Sequence, residues 1–559
     1  MSMFCFQCQE TARGTGCTVR GVCGKPAEVA RLQDLLIYLL KGVSVWGVLG
    51  RTVGLADTET GDLIPKGLFT TITNVNFDAE SIVALGQEAL RRRDALRARF
   101  EAAYQQANGK AFDGKVPEAA TWQPQENSVE AWAEYGVMAG ILANTELDED
   151  RRSLRETLVI GLKGMSAYYE HAFVLGKSDP EIVVFMQEAL AAAAEDDPDA
   201  EGLLNLVLRA GEMGVSTMAL LDAANTETYG KPEPTEVNIG VEPGPAILIS
   251  GHDLRDLHEI LEQTKGTGVK VYTHGEMLPA NAYPLFKQYD HLVGNYGGSW
   301  WHQASEFESF NGAIVLTTNC LIPPRDSYLD RLFTTGVVRW PNVTNIPDRV
   351  NNQPKDWSPV IERALRCQSP TPLEEGTVTV GFAHDTVLAA APAVLEAIQS
   401  GAIKRFVVMG GCDGRHPTRS YFTDVAAGLP EDSIILTAGC AKYRYNKLNL
   451  GTIAGIPRVL DAGQCNDSYS LVVIAMKLAE ALGVESVNDL PIEYDIAWYE
   501  QKAAIVLLAL LSLGIKNVRI GPTLPAFLSP NVLQVLVDKF GLQKISTVEQ
   551  DLATIVAGH

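Results

Sequence analysis

Four of the nine cysteines fall within the first 23 residues, as Cys5, Cys8, Cys17 and Cys23, spaced C-x2-C-x8-C-x5-C. A C-x2-C pair brings two thiolates to one metal centre, and the next two close a four-thiolate set that zinc and iron–sulfur clusters both accept. The spacing matches neither common ferredoxin run. Gly14, Gly16, Gly21 and Gly24 give the segment freedom to wrap round a cluster. The next cysteine is Cys320, after Ala313-Ile314-Val315-Leu316-Thr317-Thr318, and Cys412, Cys440 and Cys465 likewise follow apolar, strand-like runs. Soft ligands at the chain start and again at strand ends point to two metal centres, and so to a redox metalloprotein.

In open parallel sheets, ligands bind beyond the carboxyl ends of the strands. Ile249-Ser250-Gly251 leads there to His252, and Val271-Tyr272-Thr273-His274-Gly275 to Glu276. Asn319 precedes Cys320, Gly410-Gly411 precedes Cys412, Ala438-Gly439 precedes Cys440, and Gly463-Gln464 precedes Cys465. A lone buried cysteine is ordinarily a small core residue, and a lone strand-end histidine is ordinarily hydrogen-bonded. A set of such residues at equivalent sites, most behind a glycine that permits close approach to a bulky ligand, is hard to explain by packing. Thiolates are soft ligands and glutamates hard ones, so the mixture implies a cluster with sulfur-rich and oxygen-rich halves and an iron open to substrate. Glu500, in Trp498-Tyr499-Glu500-Gln501-Lys502, is a further oxygen donor; alone it reads as an acid favoured by a helix N-terminus.

The elements that must position these residues change character along the chain. At 559 residues, three or four domains are expected. Segments Glu28–Val43, Asp78–Gln105, Ser128–Leu142, Arg151–Leu175, Pro180–Ala194 and Leu203–Ala224 have helical apolar spacing, with Asn76 or Asp78 as a candidate cap for the second. A proline-punctuated stretch, 225–245, then opens a region of β-rich runs alternating with helices. The runs are 246–249, 269–272, 314–316, 377–380, 406–409, 434–436 and 459–460; they suit parallel strands covered on both faces. Ser369-Pro370-Thr371-Pro372 marks a second boundary. The predicted organisation is a helical domain (1–225) followed by two Rossmann-like α/β domains (226–370 and 371–559).

A formal net charge of −22 argues against nucleic-acid binding and fits a protein that meets small molecules or a basic electron donor. The first residues lack a basic n-region and apolar h-region, and the longest apolar run, Ala503 to Leu513, is too short to span a bilayer. A cytoplasmic protein without membrane partners is therefore expected, in which cysteines bind metal rather than form disulfides.

At these residues the chain resembles the hybrid-cluster proteins, also called prismane proteins or hydroxylamine reductases. The segments Gly251-His252-Asp253-Leu254, His274-Gly275-Glu276-Met277, Thr318-Asn319-Cys320, Gly410-Gly411-Cys412-Asp413-Gly414, Ala438-Gly439-Cys440-Ala441, Gly463-Gln464-Cys465-Asn466-Asp467 and Trp498-Tyr499-Glu500-Gln501-Lys502 carry the likeness along the whole chain. It implies a [4Fe-4S] cluster on Cys5, Cys8, Cys17 and Cys23. It also implies a hybrid [4Fe-2S-2O] cluster at the domain junction, held by His252, Glu276, Cys320, Cys412, Cys440, Cys465 and Glu500, with a persulfide sulfur available to Cys412. The implied activity is reduction of hydroxylamine to ammonia and water, or of nitric oxide, with electrons from an external donor protein. Lys502, Tyr499, His274 and Glu276 are the candidate proton donors, and Glu500 completes the candidate catalytic group. Cys367 matches no ligand motif and is the leftover thiol; His258, His274, His302, His384 and His416 are expected in structural roles or behind the ligands. The competing expectations are a nickel–iron carbon monoxide dehydrogenase, which Glu276 and Glu500 disfavour, and a non-catalytic sensor of redox or nitrosative stress.

Overall fold

The computed structural model describes residues 2–56 and 60–558. Its first part is helical. Ala27–Thr52, Ala79–Asn108, Glu149–Val174, Pro180–Ala192 and Ala200–Tyr229 fall on predicted segments, some extended by a turn or more. Both candidate caps are used at one start: Asp78 accepts from the Glu80 backbone N–H, and Asn76 accepts from that of Asp78. The segment expected as a helix over 128–142 is one only over Val129–Tyr135. Gly136 is its C-cap, where a Cβ would lie 2.2 Å from the Arg31 carbonyl oxygen. Leu63–Thr70 is a helix that Pro65 and Gly67 concealed in the sequence.

Ala27–Thr52, rather than the 503–513 run, is the one described helix long and apolar enough to cross a membrane. Most of it is buried, because Ala79–Asn108 and Pro180–Ala192 pack along it as helices of one bundle.

Two six-stranded sheets follow, each wholly parallel. The first runs Leu292–Asn295, Lys270–His274, Ala246–Ser250, Ala313–Leu316, Leu332–Thr335 and Thr344–Ile346 across its width. The second runs Val459–Asp461, Ser433–Thr437, Arg405–Val408, Ile492–Ala497, Arg519–Gly521 and Gln543–Lys544. Numbered by chain order, both have the order 3-2-1-4-5-6 of a doubly wound fold, with a switch point between strands 1 and 4. Thr377–Val380 departs from expectation: it pairs antiparallel with Thr235–Asn238 in a separate ribbon. Its residues alternate exposed and buried, the pattern of a strand with one wet face.

Helix Gln501–Ser512 ties the second sheet to the bundle. It is the crossover after strand Ile492–Ala497 and is apolar nearly all round, so it also packs on Glu149–Val174 and Ala200–Tyr229. The approach is close: a Cβ on Gly164 would lie 2.2 Å from the Gln501 carbonyl oxygen, and one on Gly211 2.1 Å from that of Leu508. Helix propensity alone would make Gly211→Ala stabilising by up to about 1 kcal/mol. We expect the opposite sign, a loss of about 1–3 kcal/mol from forcing the helices apart, read as a lower thermal unfolding midpoint.

Candidate metal centres

The switch point of each sheet opens toward the other. Just past strands 1 and 4 lie His252 and Cys320 in the first sheet, Cys412 and Glu500 in the second. Glu276, Cys440 and Cys465 follow the neighbouring strands Lys270–His274, Ser433–Thr437 and Val459–Asp461. His252 Nε2 lies 3.6 Å from Glu276 Oε2 and 3.6 Å from Cys465 Sγ. The three can offer ligand atoms within 4.8 Å of one another. Across the site, Asn319 Nδ2 donates to Glu500 Oε1 at 3.3 Å and lies 3.4 Å from Cys320 Sγ. The Cys440 thiol has Glu276, Cys320 and Cys412 among its electrostatic neighbours. All seven residues expected to bind the second centre thus converge, buried except for a half-buried Cys320.

The glycines before these ligands serve the backbone more than any ligand. Gly411 (φ 105°) and Gly439 (φ 91°) both need the left-handed region, and a Cβ on Gly439 would sit 2.4 Å from the Gly411 carbonyl oxygen. Bare backbones let the turns carrying Cys412 and Cys440 touch.

Burial sets the charges. It pushes all four thiols up, Cys412 to about 12, so a cationic metal is what would make them thiolates. Burial and the Lys502 ammonium bring His252 down to about 4, so the ring is neutral, as a metal ligand must be. Burial opposes ionisation of Glu276, yet the Lys442 and Lys502 ammoniums favour its carboxylate, and the Cys465 backbone N–H donates to its Oε2 at 2.8 Å. Thr318 fixes the His252 tautomer: its hydroxyl donates to the Asn319 carbonyl at 3.1 Å and accepts from His252 Nδ1 at 2.8 Å. The lone pair then falls on Nε2, where Lys502 Nζ donates at 2.8 Å. Lys502 also donates to Asn319 Oδ1 at 2.9 Å and lies 3.7 Å from Glu500 Oε1.

Of the other candidate proton donors, Glu276 stands in the donor set and Tyr499 and His274 are engaged by other partners. Tyr499 is fully buried, with its hydroxyl 3.3 Å from Asn74 Oδ1 and its ring 4.5 Å from that of Trp300. His274 has both nitrogens engaged, with Ser250 and Glu306 at 2.8 Å each. Cys367 donates to the Arg363 carbonyl at 3.2 Å, away from the ligands. Sequence reasoning missed Thr318, Asn319 and Tyr168, the last bringing a buried phenol beside Cys465 from the bundle. A threonine-asparagine pair ahead of a ligand cysteine was the available signal for the first two. An apolar cavity of about 110 Å³ runs from Cys412 and Cys465 past Ala475 and Val506 to the exposed Met476 and Leu513.

At the chain start, Cys5 and Cys17 exchange backbone hydrogen bonds of 3.1 and 2.8 Å. Burial, then Cys23, Cys5, Glu10 and Cys17, push the Cys8 thiol well up, the other three cysteines lying within electrostatic reach of Cys8. All nine cysteines carry free thiols. The segment is fastened to the second site's flank: Gln9 N donates to the Tyr499 carbonyl at 2.8 Å, and Gln501 Nε2 to that of Gln7 at 2.7 Å.

A profile of the Prismane/CO dehydrogenase family matches residues 3–553. This chain belongs to that family. Proteins called hydroxylamine reductase from Halothermothrix orenii and Nitratidesulfovibrio vulgaris are each 60% identical to it, with the whole of both chains covered. The expected kinship with hybrid-cluster proteins is borne out. Among solved structures, carbon monoxide dehydrogenase IV from Carboxydothermus hydrogenoformans aligns with 96% of this chain and 89% of its own, at a TM-score of 0.56 and 17% identity. An acetyl-CoA synthase/carbon monoxide dehydrogenase aligns with 99% and 86%, at 0.57 and 16%. At that identity the likeness speaks for the fold alone.

The family implies iron–sulfur clusters, and the residues fit them. Glu276 Oε1 is buried with no hydrogen-bond partner among the described residues, an acceptor left open on a residue of the donor set. Soft sulfurs, one neutral imidazole and hard carboxylates suit a mixed iron centre better than zinc. Thr318→Val removes the partner of His252 Nδ1 at constant shape. It should weaken iron retention at this centre by about tenfold or more, measured as iron per chain after chelator dialysis with the N-terminal centre unaffected.

Proposed function

We propose that the protein is an iron–sulfur oxidoreductase that reduces hydroxylamine to ammonia and water and also accepts nitric oxide. Its second centre would be a hybrid [4Fe-2S-2O] cluster on His252, Glu276, Cys320, Cys412, Cys440, Cys465 and Glu500, and electrons would reach it through a [4Fe-4S] cluster on Cys5, Cys8, Cys17 and Cys23. One observation carries this reading: a buried sulfur, nitrogen and oxygen donor set with a lysine ammonium at its heart. When bound, such a centre supplies a Lewis-acidic iron and reducing electrons.

The chain's own residues supply the rest. Hydroxylamine takes up two electrons and two protons as its N–O bond breaks, so the departing oxygen needs an acid. Lys502 Nζ is that acid: against burial, Cys465, once a metal makes it a thiolate, and Glu500 favour its protonated form. A metal on His252 Nε2 would take the lone pair that Lys502 now caps. That would release Nζ from one of its partners while Asn319 and Glu500 keep it in place. The apolar cavity admits small uncharged molecules to Cys412 and Cys465 and keeps bulk water out.

The test is anaerobic turnover of the iron-loaded protein with hydroxylamine, counting ammonia, with nitric oxide in parallel. Absence of ammonia from protein carrying both clusters would overturn the reading. Lys502→Met should lower kcat for hydroxylamine by about 10²-fold while the second centre keeps an EPR signal. Cys440→Ser should abolish that signal and spare the N-terminal one; loss of both would mean that the two centres do not form independently.

A further inference from the structure

The bulk charge of −22 suggests a basic electron donor, but the surface over the N-terminal cysteines has the opposite character. Residues 11–24 include Arg13 and Arg20 and no acidic side chain, and both arginines are exposed. Neither forms an ion pair among the described residues. The nearest carboxylate in sequence, Glu10, is only 6% exposed at its side chain and is gripped by Arg415 through Nε at 3.0 Å and a terminal nitrogen at 2.6 Å. Arg415 keeps 36% of its own side chain exposed and also reaches the Val22 carbonyl at 3.3 Å. Between these cations stand Val19 and Val22, 76% and 46% exposed.

The loop is pre-shaped. Arg20 Nε donates to the Gly24 carbonyl at 3.2 Å, Met3 N to that of Thr18 at 3.0 Å, and a Cβ on Gly24 would meet Pro323 at 2.4 Å. Exposed apolar side chains on the same segment as exposed cations suit a brief, charge-steered encounter.

We propose that this face, Arg13, Val19, Arg20, Val22 and Arg415, is the docking surface for a small acidic electron-transfer protein. The proposal rests on reading Cys5, Cys8, Cys17 and Cys23 as the electron port. Charges are screened beyond about 8 Å at physiological salt, so at docking range the local arginines outweigh the remote negative charge. The rest of the acidic surface repels the same donor, which confines productive contact to the port.

The test is stopped-flow reduction of the cluster-loaded protein by a reduced, acidic ferredoxin of the two-cluster type, with dithionite as a small-molecule control. The double variant Arg13→Glu/Arg20→Glu should slow the ferredoxin reaction by about tenfold or more and leave the dithionite reaction and both EPR signals unchanged. Rising salt should slow the wild type and not the variant. An unchanged ferredoxin rate in the variant would overturn the surface. In that case Cys17→Ser separates the claims: a slowed Cys17→Ser leaves the port standing without this surface, whereas wild-type electron uptake by Cys17→Ser removes port and surface together.

Discussion

The structure depends on burying an ammonium among carboxylates, thiols and an imidazole and giving that charge partners on several sides. An isolated charge in such a place would neutralise or unfold its surroundings. Lys502 is tolerable because His252, Asn319 and Glu500 converge on it, and each comes from a different strand end. Neither sheet alone could supply that shell. The opposed switch points and the bundle-bound helix are what bring it together.

Much of this was legible in the sequence because the chemistry obeys topology. In both sheets a ligand follows strands 1, 2 and 4, so apolar runs ending in Gly-His or Gly-Cys gave away position as well as identity. The bundle helices showed through their apolar spacing. What stayed hidden were features fixed by partners distant in sequence. Thr377–Val380 has a strand's composition, but its antiparallel mate lies some way upstream at Thr235–Asn238. The sequence offered Tyr499 and Lys502 as equal proton donors; they lie three residues apart, and only geometry sends one to Asn74 and the other to His252. The role of the glycines was also misjudged, since an approach between two backbones leaves no mark distinct from an approach to a ligand.

The N-terminal segment shows how closely the two centres are joined. Arg419, buried, donates to the Gln9 side chain and to the carbonyls of Cys412 and Trp498, so a single guanidinium spans the flanks of both cysteine groups. The bundle joins in through Lys163, whose ammonium donates to Gln7 Oε1 at 2.8 Å.

The bond from Gln501 to the Gln7 carbonyl also bears on biosynthesis. Its ends are 494 positions apart, so a growing chain exposes its first four cysteines long before the residues that clamp them are made. Domains generally fold in the order of synthesis, and contacts of such separation form late. Until then the early cysteine loop relies on the bundle's clamps, such as Lys163 on Gln7, to hold it. Seating of that loop by Gln501 has to wait until the second sheet's fourth strand has been made.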